Sequence, residues 1–328
     1  MPLPERDSAP TSPPIFIVMN AGSGKEDVKT REATIRQVLS DAKREHRLWP
    51  VRNAEQLSVA AREAVALARE RSGIVVAAGG DGTINSVVQA VLGSGRPFGV
   101  LPQGTFNYFS RTHGIPLDTA EATAALLDGV VRPVQVGLVN GRAFLVNASV
   151  GLYPRLLENR EAHKRQFGRT RLVALFSALM TVLRPPRQMA LTLEEGGEKR
   201  VVTTPTLVVD NNALQLEQVG LPEAHAVKRG ELAAVTVQAR GVFEMLVLLG
   251  YAALGKLAKA EKVLSFPFET LTVKPLRRRR IKVATDGEIV WLAPPLVFTV
   301  APDPLLLVLP APKEAPASSA APALAVTA

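Results

Sequence analysis

The chain has 328 residues, 47% of them hydrophobic, so it is long enough for two domains with sizeable cores. It contains no cysteine and only four histidines, which excludes disulfides and thiolate chemistry and argues against a zinc site. The balance of 39 basic and 30 acidic residues, formally +9, favours a polyanionic partner such as a nucleotide, an anionic lipid or a nucleic acid. Because the basic clusters contain no interleaved aromatic residues, we expect no nucleic-acid partner.

The two ends of the chain have the composition of solvated segments. Residues 1–13 lack the apolar stretch of a signal peptide, and residues 312–328 are rich in Ala, Pro and Ser. We expect a disordered leader and a disordered tail. The longest apolar runs fall short of the roughly 20 residues that cross a bilayer, so we expect no transmembrane segment. A reducing cytoplasm fits this composition.

The first half of the chain alternates strand-like and helix-like segments. In chain order they are IFIVMN, EDVKTREATIRQVLSDAKREH, AEQLSVAAREAVALARERS, IVVAA, VVQAVLGSG, FGVLP and LDTAEATAALLDG. Asp118 or Thr119 is expected to cap the last of these helices. Such alternation predicts a parallel sheet covered by helices, an α/β domain over residues 14–135.

The second half has a different pattern, rich in hairpin signals. VQVGLVNGRAFLVNASV predicts a hairpin turning at Asn140-Gly141, and MALTLEEGGEKRVVTTPTLVVD predicts another at Gly196-Gly197. Two helical patterns, over residues 168–183 and 242–259, interrupt the strands. We therefore expect a mostly antiparallel, sandwich-like β-rich domain over residues 136–311.

Glycine-rich turns follow three of the predicted strands. In the GGDGT turn after IVVAA, the glycines can take positive φ and let backbone N–H groups approach an anion, while Asp81 and Thr83 suit the turn and the helix cap. LPQGT repeats this design with Thr105 as the expected cap, and NAGSG is a third candidate. Taken alone, GGDGT and NAGSG are each explained equally well by an ordinary strand-to-helix turn. The second glycine-threonine turn shifts the balance, because two such turns after successive strands could face one ligand together.

Two familiar nucleotide motifs do not fit these turns. The GxGxxG pattern fails because Asn85 stands where its last glycine should be. The Walker pattern lacks its first glycine, and Glu26 follows Lys25 where a Ser or Thr would hold magnesium. The sequence therefore supports neither a nicotinamide-binding loop nor a P-loop NTPase.

The segments NAGSG, GGDGT, GVLPQGTFNYFSR and ATDGE, in this order, resemble the signature series of the diacylglycerol kinase catalytic-domain family. That family also contains sphingosine and ceramide kinases and bacterial lipid kinases. The resemblance implies a nucleotide-binding α/β domain, a β-rich lipid-substrate domain and an active site in the cleft between them. It also implies ATP as phosphoryl donor, Mg²⁺ as cofactor and a lipid hydroxyl, such as that of diacylglycerol, as acceptor.

The same resemblance assigns roles to individual residues. Asp81 would position phosphate through magnesium, directly or by water. Asp286-Gly287 is by itself a strong hairpin signal, but the family's DGE motif makes Glu288 the presumed base, with Asp286 assisting through the metal or by orienting it. The residues expected to contact the nucleotide or shape its loops are Asn20, Ala21, Gly22, Ser23, Gly24, Gly79, Gly80, Asp81, Gly82, Thr83, Asn85, Gly104 and Thr105.

Two positions depart from the family pattern. Many bacterial members carry an acidic residue before a glycine in the second domain, where a structural magnesium is thought to bind, but this chain has Arg229-Gly230. Because Lys228 and Arg229 would repel a cation, we do not expect that second metal site. Ala21 replaces the usual proline of the first motif, which changes loop stiffness rather than chemistry.

A lipid acceptor requires contact with a membrane surface, and we expect peripheral association. The apolar stretch GRTRLVALFSALMTVLRPPR is bracketed by Arg169, Arg171, Arg184 and Arg187, which fits either a helix resting on an anionic interface or a core helix with solvated ends. Each arginine of the run 277–280 would add about 1 kcal/mol near an anionic surface, although a solvated loop also explains the run.

Two alternatives to a lipid kinase stay open. One is a kinase for a soluble hydroxyl such as that of NAD, since NAD kinases share GGDGT. The other is a non-catalytic module that senses lipid or nucleotide. The acceptor lipid and the oligomeric state, a homodimer included, are not specified by these residues.

Overall fold

The computed structural model of the protein describes residues 12–22, 27–158, 187–276 and 278–311. Several sequence-based expectations concern residues outside these ranges. They are most of the leader and all of the tail, the helix over 168–183 with Arg169, Arg171 and Arg184, and the single positions Ser23, Gly24 and Arg277.

Strands dominate the described chain. They are β1 (Ile15–Asn20), β2 (His46–Val51), β3 (Ile74–Gly79), β4 (Phe98–Pro102), β5 (Val130–Val134), β6 (Gly137–Val139), β7 (Arg142–Phe144), β8 (Asn147–Gly151), β9 (Met189–Glu195), β10 (Glu198–Thr204), β11 (Thr206–Asp210), β12 (Leu232–Val237), β13 (Val263–Phe268), β14 (Thr270–Pro275), β15 (Ile281–Thr285), β16 (Glu288–Leu292), β17 (Leu296–Val300) and β18 (Leu305–Leu309).

The helices are fewer and fall in two groups along the chain. They are α1 (Val28–Asp41), α2 (Ala54–Glu70), α3 (Asp81–Val91), α4 (Tyr108–Thr112), α5 (Thr119–Ala125), α6 (Ala213–Val219), α7 (Ala224–Lys228) and α8 (Val242–Ala253). Residues 152–158 are also helical, and Leu257–Lys259 form one 3₁₀ turn.

The first sheet has the order β2-β1-β3-β4-β18-β5. All neighbouring strands in it are parallel except β5, which runs antiparallel to β18. One face packs on α2 and α3, and the other packs on α1 and α5. The strands read as continuous apolar runs because both faces of the sheet are buried. This confirms the predicted α/β layer.

Side-chain caps begin two of these helices, of which the one at α5 was predicted from the sequence. The side chain of Asn53 accepts a hydrogen bond from the backbone N–H of Gln56 at the start of α2. Asp118, rather than Thr119, caps α5 by accepting from the N–H of Glu121 at 2.9 Å. A Ser, Thr, Asp or Asn cap satisfies one of the N–H groups that a helix leaves free at its first turn.

The rest of the chain forms two antiparallel sheets that pack face to face. Their strand orders are β10-β9-β14-β17-β6-β7 and β13-β12-β11-β8-β15-β16. Alternate residues of both sheets, such as Leu191 and Phe298 of one and Val150 and Val283 of the other, share one buried cluster. This arrangement confirms the expected sandwich-like β-rich region.

The hairpin turns of this region lie where the sequence places them. Asn140-Gly141, Gly196-Gly197 and Asp286-Gly287 all have positive φ angles. Turns with two positive φ angles match the twist of the flanking strands, which is why Asn-Gly, Gly-Gly and Asp-Gly favour them. The turn chemistry thus sets the register of each hairpin.

The chain returns to the first sheet at its end. β18 lies between β4 and β5, whereas the sequence-based division grouped all of residues 136–311 in the second domain. Leu305 and Leu307 join the core on the α2–α3 face, and Val308 joins the core on the opposite face. The apolar run LLLVL thus supplies both faces of a buried strand.

The outer side of the third sheet carries a small helical layer. α6, α7 and α8 pack over β12, where Ala233 and Val235 face them. The alternate residues Leu232 and Ala234 point into the sandwich core. Within the described ranges, no helix is both long enough and apolar enough to cross a membrane.

Candidate active site

The three glycine-rich turns meet at one edge of the first sheet. Asn20 ends β1, Gly79 ends β3 and Pro102 ends β4, and the parallel register places Gly79 opposite Pro102. The loops that follow these strands therefore share the carboxyl edge of the sheet, where ligands bind in open α/β folds.

The glycines of these turns serve close packing and not the left-handed conformation expected from the sequence. Gly79, Gly80, Gly82 and Gly104 are absent from the glycines with positive φ. A Cβ at Gly79 would meet the Thr83 side chain at 2.5 Å, and one at Gly104 would meet the Gly80 Cα at 2.8 Å. The expectation of positive φ is therefore wrong here. At Gly79 and Gly104, glycine is needed because a threonine side chain or a neighbouring backbone occupies the space of a Cβ.

The two threonines expected as helix caps have other positions. Gly80 precedes α3 as its cap residue, while Thr83 lies inside the first turn and accepts a hydrogen bond from Asn20 Nδ2 at 2.9 Å. Asn107, with φ 50°, precedes α4, and Thr105 is exposed. Thr83 thus joins the first and second turns, and Thr105 is free of any capping role.

Two amides of the first turn already have partners within the protein. The N–H of Ala21 donates to Val51 O at 2.8 Å, and the N–H of Gly22 donates to Asn20 Oδ1 at 2.9 Å. These two groups are not available to a phosphate in this arrangement. Ser23 and Gly24 lie outside the described residues.

Asp81 lies in the first turn of α3 and faces the start of α4. Its Oδ1 accepts a hydrogen bond from Phe109 N at 3.3 Å. Burial raises the pKa of Asp81, while the backbone amides of Phe109, Tyr108 and Asn107 act in the opposite direction. A carboxylate in this position complements the N–H groups at the beginning of a helix.

Glu288 reaches the same helix turn from the other end of the chain. A Cβ placed on Gly82 would lie 3.4 Å from Glu288 Oε1. Ser86 Oγ donates to Oε1 at 3.1 Å, and Arg142 Nη2 donates to Oε2 at 3.3 Å. Burial raises the pKa of Glu288, opposed by Ser86 and Arg142. The structure therefore brings Glu288 of β16 to Gly82, the residue after Asp81 in the first turn of α3.

Asp286, two residues earlier, is held within the protein. It has φ 48° in the β15–β16 turn. Its Oδ1 accepts from Val146 N at 2.8 Å and Asn147 N at 3.1 Å. Its Oδ2 accepts from Leu145 N and Asn85 Nδ2, both at 2.7 Å. Burial raises the pKa of Asp286 to about 6, although all four donors favour the ionised form.

Asn85 does not face the turns that precede α3. It is fully buried, and its Nδ2 donates to Ala143 O at 2.9 Å as well as to Asp286. Gln89, one helical turn later, donates to Asn85 Oδ1 and to Ala143 O. Asn85 thus links α3 to β7 and to the hairpin that carries Glu288.

Four further residues of this region were not predicted from the sequence. Arg142 and Ser86 contact Glu288 directly. Arg31 of α1 is buried and donates a hydrogen bond to Oε1 of Gln103, in the LPQGT turn, at 2.6 Å. The Nε2 of Gln103 is also buried and has no hydrogen-bond partner in the described part of the chain. The one sequence signal for this contact is the position of Arg31 on the apolar face of α1, four residues before Ile35 and eight before Leu39.

Lys228 and Arg229 lie at the surface on and after α7. Lys228 pairs with Glu217, and Arg229 pairs with Glu231 at 3.1 Å. Their charges are thus partly balanced by neighbouring carboxylates.

The residues at the α3 turn fit a hydrated magnesium ion shared with phosphate. Magnesium keeps several waters and needs only one or two carboxylates, and Asp81 in the first turn of α3 would supply one. The first-turn N–H groups of α3, which the helix itself leaves free, add positive potential for phosphate oxygens. Groups of three or more His, Cys, Asp or Glu side chains able to hold a metal do not occur among the described residues.

Comparison with known proteins identifies relatives of the first part of the chain. Residues 14–139 match the family model described as the diacylglycerol kinase catalytic domain, which confirms the resemblance for the three motifs within these residues but does not extend to ATDGE. The chain is 38% identical over 138 residues to a diacylglycerol kinase of Bacillus subtilis (strain 168), covering 41% of this chain and 45% of that protein. It is 34% identical over 137 residues to a diacylglycerol kinase of Staphylococcus aureus (strain MRSA252), covering 41% and 42%.

A crystal structure described as a diacylglycerol kinase from Bacillus anthracis str. Sterne has the same fold. It aligns with a TM-score of 0.69 at 18% identity, covering 90% of this chain and 96% of that chain. The matched segment, by contrast, spans less than half the length of the two curated relatives, 45% and 42%. The likeness over the full length is therefore a likeness of fold.

Proposed function

Because residues 14–139 match the diacylglycerol kinase catalytic domain, we propose that this chain is an ATP-dependent lipid kinase that phosphorylates a lipid hydroxyl such as that of diacylglycerol. The observation that carries the proposal is the approach of Glu288 to the first turn of α3, beside Asp81. Two carboxylates at a glycine-rich helix start suit phosphoryl transfer, in which donor and acceptor are held in line while charge is offset.

In the proposed reaction, Glu288 accepts the proton of the acceptor hydroxyl. The hydroxyl oxygen forms a bond to the γ-phosphorus of ATP, the bond from that phosphorus to the β–γ bridging oxygen breaks, and ADP leaves. A raised pKa makes Glu288 a better proton acceptor than an exposed glutamate. Magnesium, when bound through Asp81, would offset charge on the phosphates.

Arg142 and Ser86 orient the base in this proposal. Each donates to a different oxygen of Glu288, so the carboxylate cannot rotate freely. Asp286 and Asn85 act on Glu288 indirectly, because the hydrogen bond between them joins the hairpin that carries Glu288 to α3. We therefore assign Asp286 a positioning role, in place of contact with the metal.

The test is transfer of label from [γ-³²P]ATP to diacylglycerol dispersed in detergent, with and without Mg²⁺. Glu288→Gln keeps the side-chain shape and removes the base, so we expect the rate to fall by about 10²–10⁴-fold with folding preserved. Glu45→Gln is the matched control, because Glu45 is also paired with an arginine, Arg71, but on the surface. That variant should keep the wild-type rate.

The acceptor panel separates the alternatives. Sphingoid bases and ceramide test other lipids, and NAD tests a soluble hydroxyl. Activity on NAD without activity on lipid would replace the proposal by a soluble-substrate kinase. ATP binding with no transfer to any acceptor, together with an unchanged cellular role of Glu288→Gln, would favour a non-catalytic sensing module.

A further inference from the structure

Helix α8 is apolar on its solvent-facing side. Met245 and Leu248 pack into the helical layer, as an amphipathic helix requires. The opposite side carries Phe243, which is 78% exposed, together with Leu246, Val247, Leu249 and Tyr251, and Leu254, just after the helix, is 71% exposed. The only charged residue of the helix is Glu244. A surface helix of a globular domain normally places charged residues on this side.

Contiguous exposed apolar side chains of this kind mark an interaction surface. Single exposed apolar residues are ordinary, but a cluster on one helix face is not. Phe243, Leu246, Val247 and Leu254 fall within one half of the helix circumference at 100° per residue. We call these four residues, with the helix that carries them, the α8 face.

The surroundings of the α8 face are cationic. Arg240 precedes the helix, and Lys256, Lys259 and Lys262 follow it, all of them exposed. Glu244 is already paired with Lys262, and Glu261 is the only other acidic residue between positions 240 and 262. An apolar strip with a basic margin is the pattern of a helix that lies in the interface of an anionic bilayer.

A second cationic group lies on the same side of the third sheet. Lys282 alternates with Ile281 and Val283, which face the sandwich core, so Lys282 points to the outer side, where α8 also packs. Arg155, Arg278 and Lys282 line one pocket of about 200 Å³ there, and Glu158 is the only acidic side chain among the described residues that line it. Glu158 pairs with Lys282, which also lies over the Trp291 ring at 5.0 Å.

We propose that the outer side of the third sheet is a membrane-contact surface, in which the α8 face enters the interface of an anionic bilayer and the two cationic groups meet its headgroups. The inference rests on the proposed function only in that a lipid acceptor must be reached at a membrane. The charge around the α8 face indicates that the binding partner is an anionic membrane. Arg240 precedes the helix and lysines follow it, and these cations favour an anionic lipid surface over a neutral one.

The experiment measures binding of the full chain to sonicated vesicles by co-sedimentation, without substrate or ATP. Vesicles of phosphatidylcholine with 30% phosphatidylglycerol should bind the protein, and vesicles of phosphatidylcholine alone should bind it less. The double variant Phe243→Ser, Leu246→Ser should bind anionic vesicles at least about tenfold more weakly. Val201→Ser is the matched control, since Val201 is 67% exposed on β10, away from α8, and should bind like wild type.

A second pair of measurements separates the other outcomes. Unchanged vesicle binding of the double variant, or no binding of wild type to anionic vesicles, would overturn the inference. A wild-type dimer in sedimentation velocity that becomes a monomer in the double variant, with equal vesicle binding, would identify a second copy as the occupant and would also overturn it. Vesicle binding lost in the double variant, with no label transfer in wild type, would sink the kinase proposal and leave the membrane surface standing.

Discussion

Replacing Asn85 by aspartate tests whether its side chain joins α3 to the Glu288 hairpin. Asn85 is fully buried, and its Nδ2 donates to Asp286 Oδ2 at 2.7 Å and to Ala143 O at 2.9 Å. Aspartate has the same shape but puts an acceptor oxygen where both donors were. At pH 7 it would face a carboxylate and a carbonyl oxygen at hydrogen-bond distance.

The magnitude follows from the bonds lost and the charge introduced. Each buried hydrogen bond that loses its partner costs about 1–3 kcal/mol. Two carboxylates about 4 Å apart repel by about 4 kcal/mol at an effective dielectric constant of 20, and taking up one proton relieves this repulsion. We expect Asn85→Asp to lower the free energy of unfolding by about 3–6 kcal/mol at pH 7.

The loss should shrink in acid. One shared proton restores a hydrogen bond between the two carboxyl groups, so we expect a loss of only about 1–3 kcal/mol at pH 5. The direction of the pH effect follows from linkage. A carboxyl group whose pKa is higher in the folded than in the unfolded protein stabilises the folded state below the unfolded-state pKa, and this stabilisation is lost as pH rises through the folded-state pKa. Burial already raises the pKa of Asp286 from 3.8 to about 6, and a second carboxylate beside it would raise the pKa further, so stability should be lost from about pH 4 to above pH 6.

Urea unfolding of wild type, Asn85→Asp and Asn85→Ala at pH 5 and pH 7 measures these differences. Asn85→Ala removes the same donors without adding a charge. Because Asn85 favours the ionised form of Asp286, the loss in Asn85→Ala should also grow between pH 5 and pH 7, but by less than in Asn85→Asp. A loss below about 0.5 kcal/mol for Asn85→Asp at pH 7, or an equal loss at both pH values, would refute the reasoning.

Two further changes test the neighbouring contacts. Arg142→Gln removes the cation that opposes the effect of burial, so the pKa of Glu288 should rise further. The acidic limb of the pH profile of kcat/KM for ATP-dependent transfer should then move to higher pH. An unmoved limb would contradict a role for Arg142 in holding the base ionised. Gly79→Ala places a Cβ 2.5 Å from Thr83 and should lower the free energy of unfolding by about 1–3 kcal/mol in urea, whereas Gly241→Ala, with nothing within 4 Å, should change it little.

Most of the fold was predictable because local signals and architecture agree. Strands and helices alternate in the first half, and two-residue turns such as Asn140-Gly141 lie between alternating runs in the second half. The position of β18 was not predictable. An apolar run such as LLLVL indicates a buried strand but carries no information about which sheet it joins. Its place between β4 and β5 depends on the path of the whole chain.

The location of the site was predictable, but its contacts were not. Glycine marks where backbones approach closely, yet the sequence does not distinguish a glycine needed for positive φ from one such as Gly79, which makes room for Thr83. Ser86 and Arg142 were missed for another reason. Their contacts with Glu288 join residues 202 and 146 positions apart, and no local pattern in a single sequence reports such pairs.

The two carboxylates of ATDGE have separate physical surroundings although only Gly287 lies between them. The left-handed conformation of Asp286 turns its carboxylate back onto three consecutive backbone N–H groups of residues 145–147. Glu288, the first residue of β16, is instead directed at α3, where Ser86 meets it. Any change at Asp286 therefore displaces the hairpin that carries Glu288. A loss of activity on changing Asp286 would by itself say nothing about metal binding, because the loss follows equally from a misplaced base.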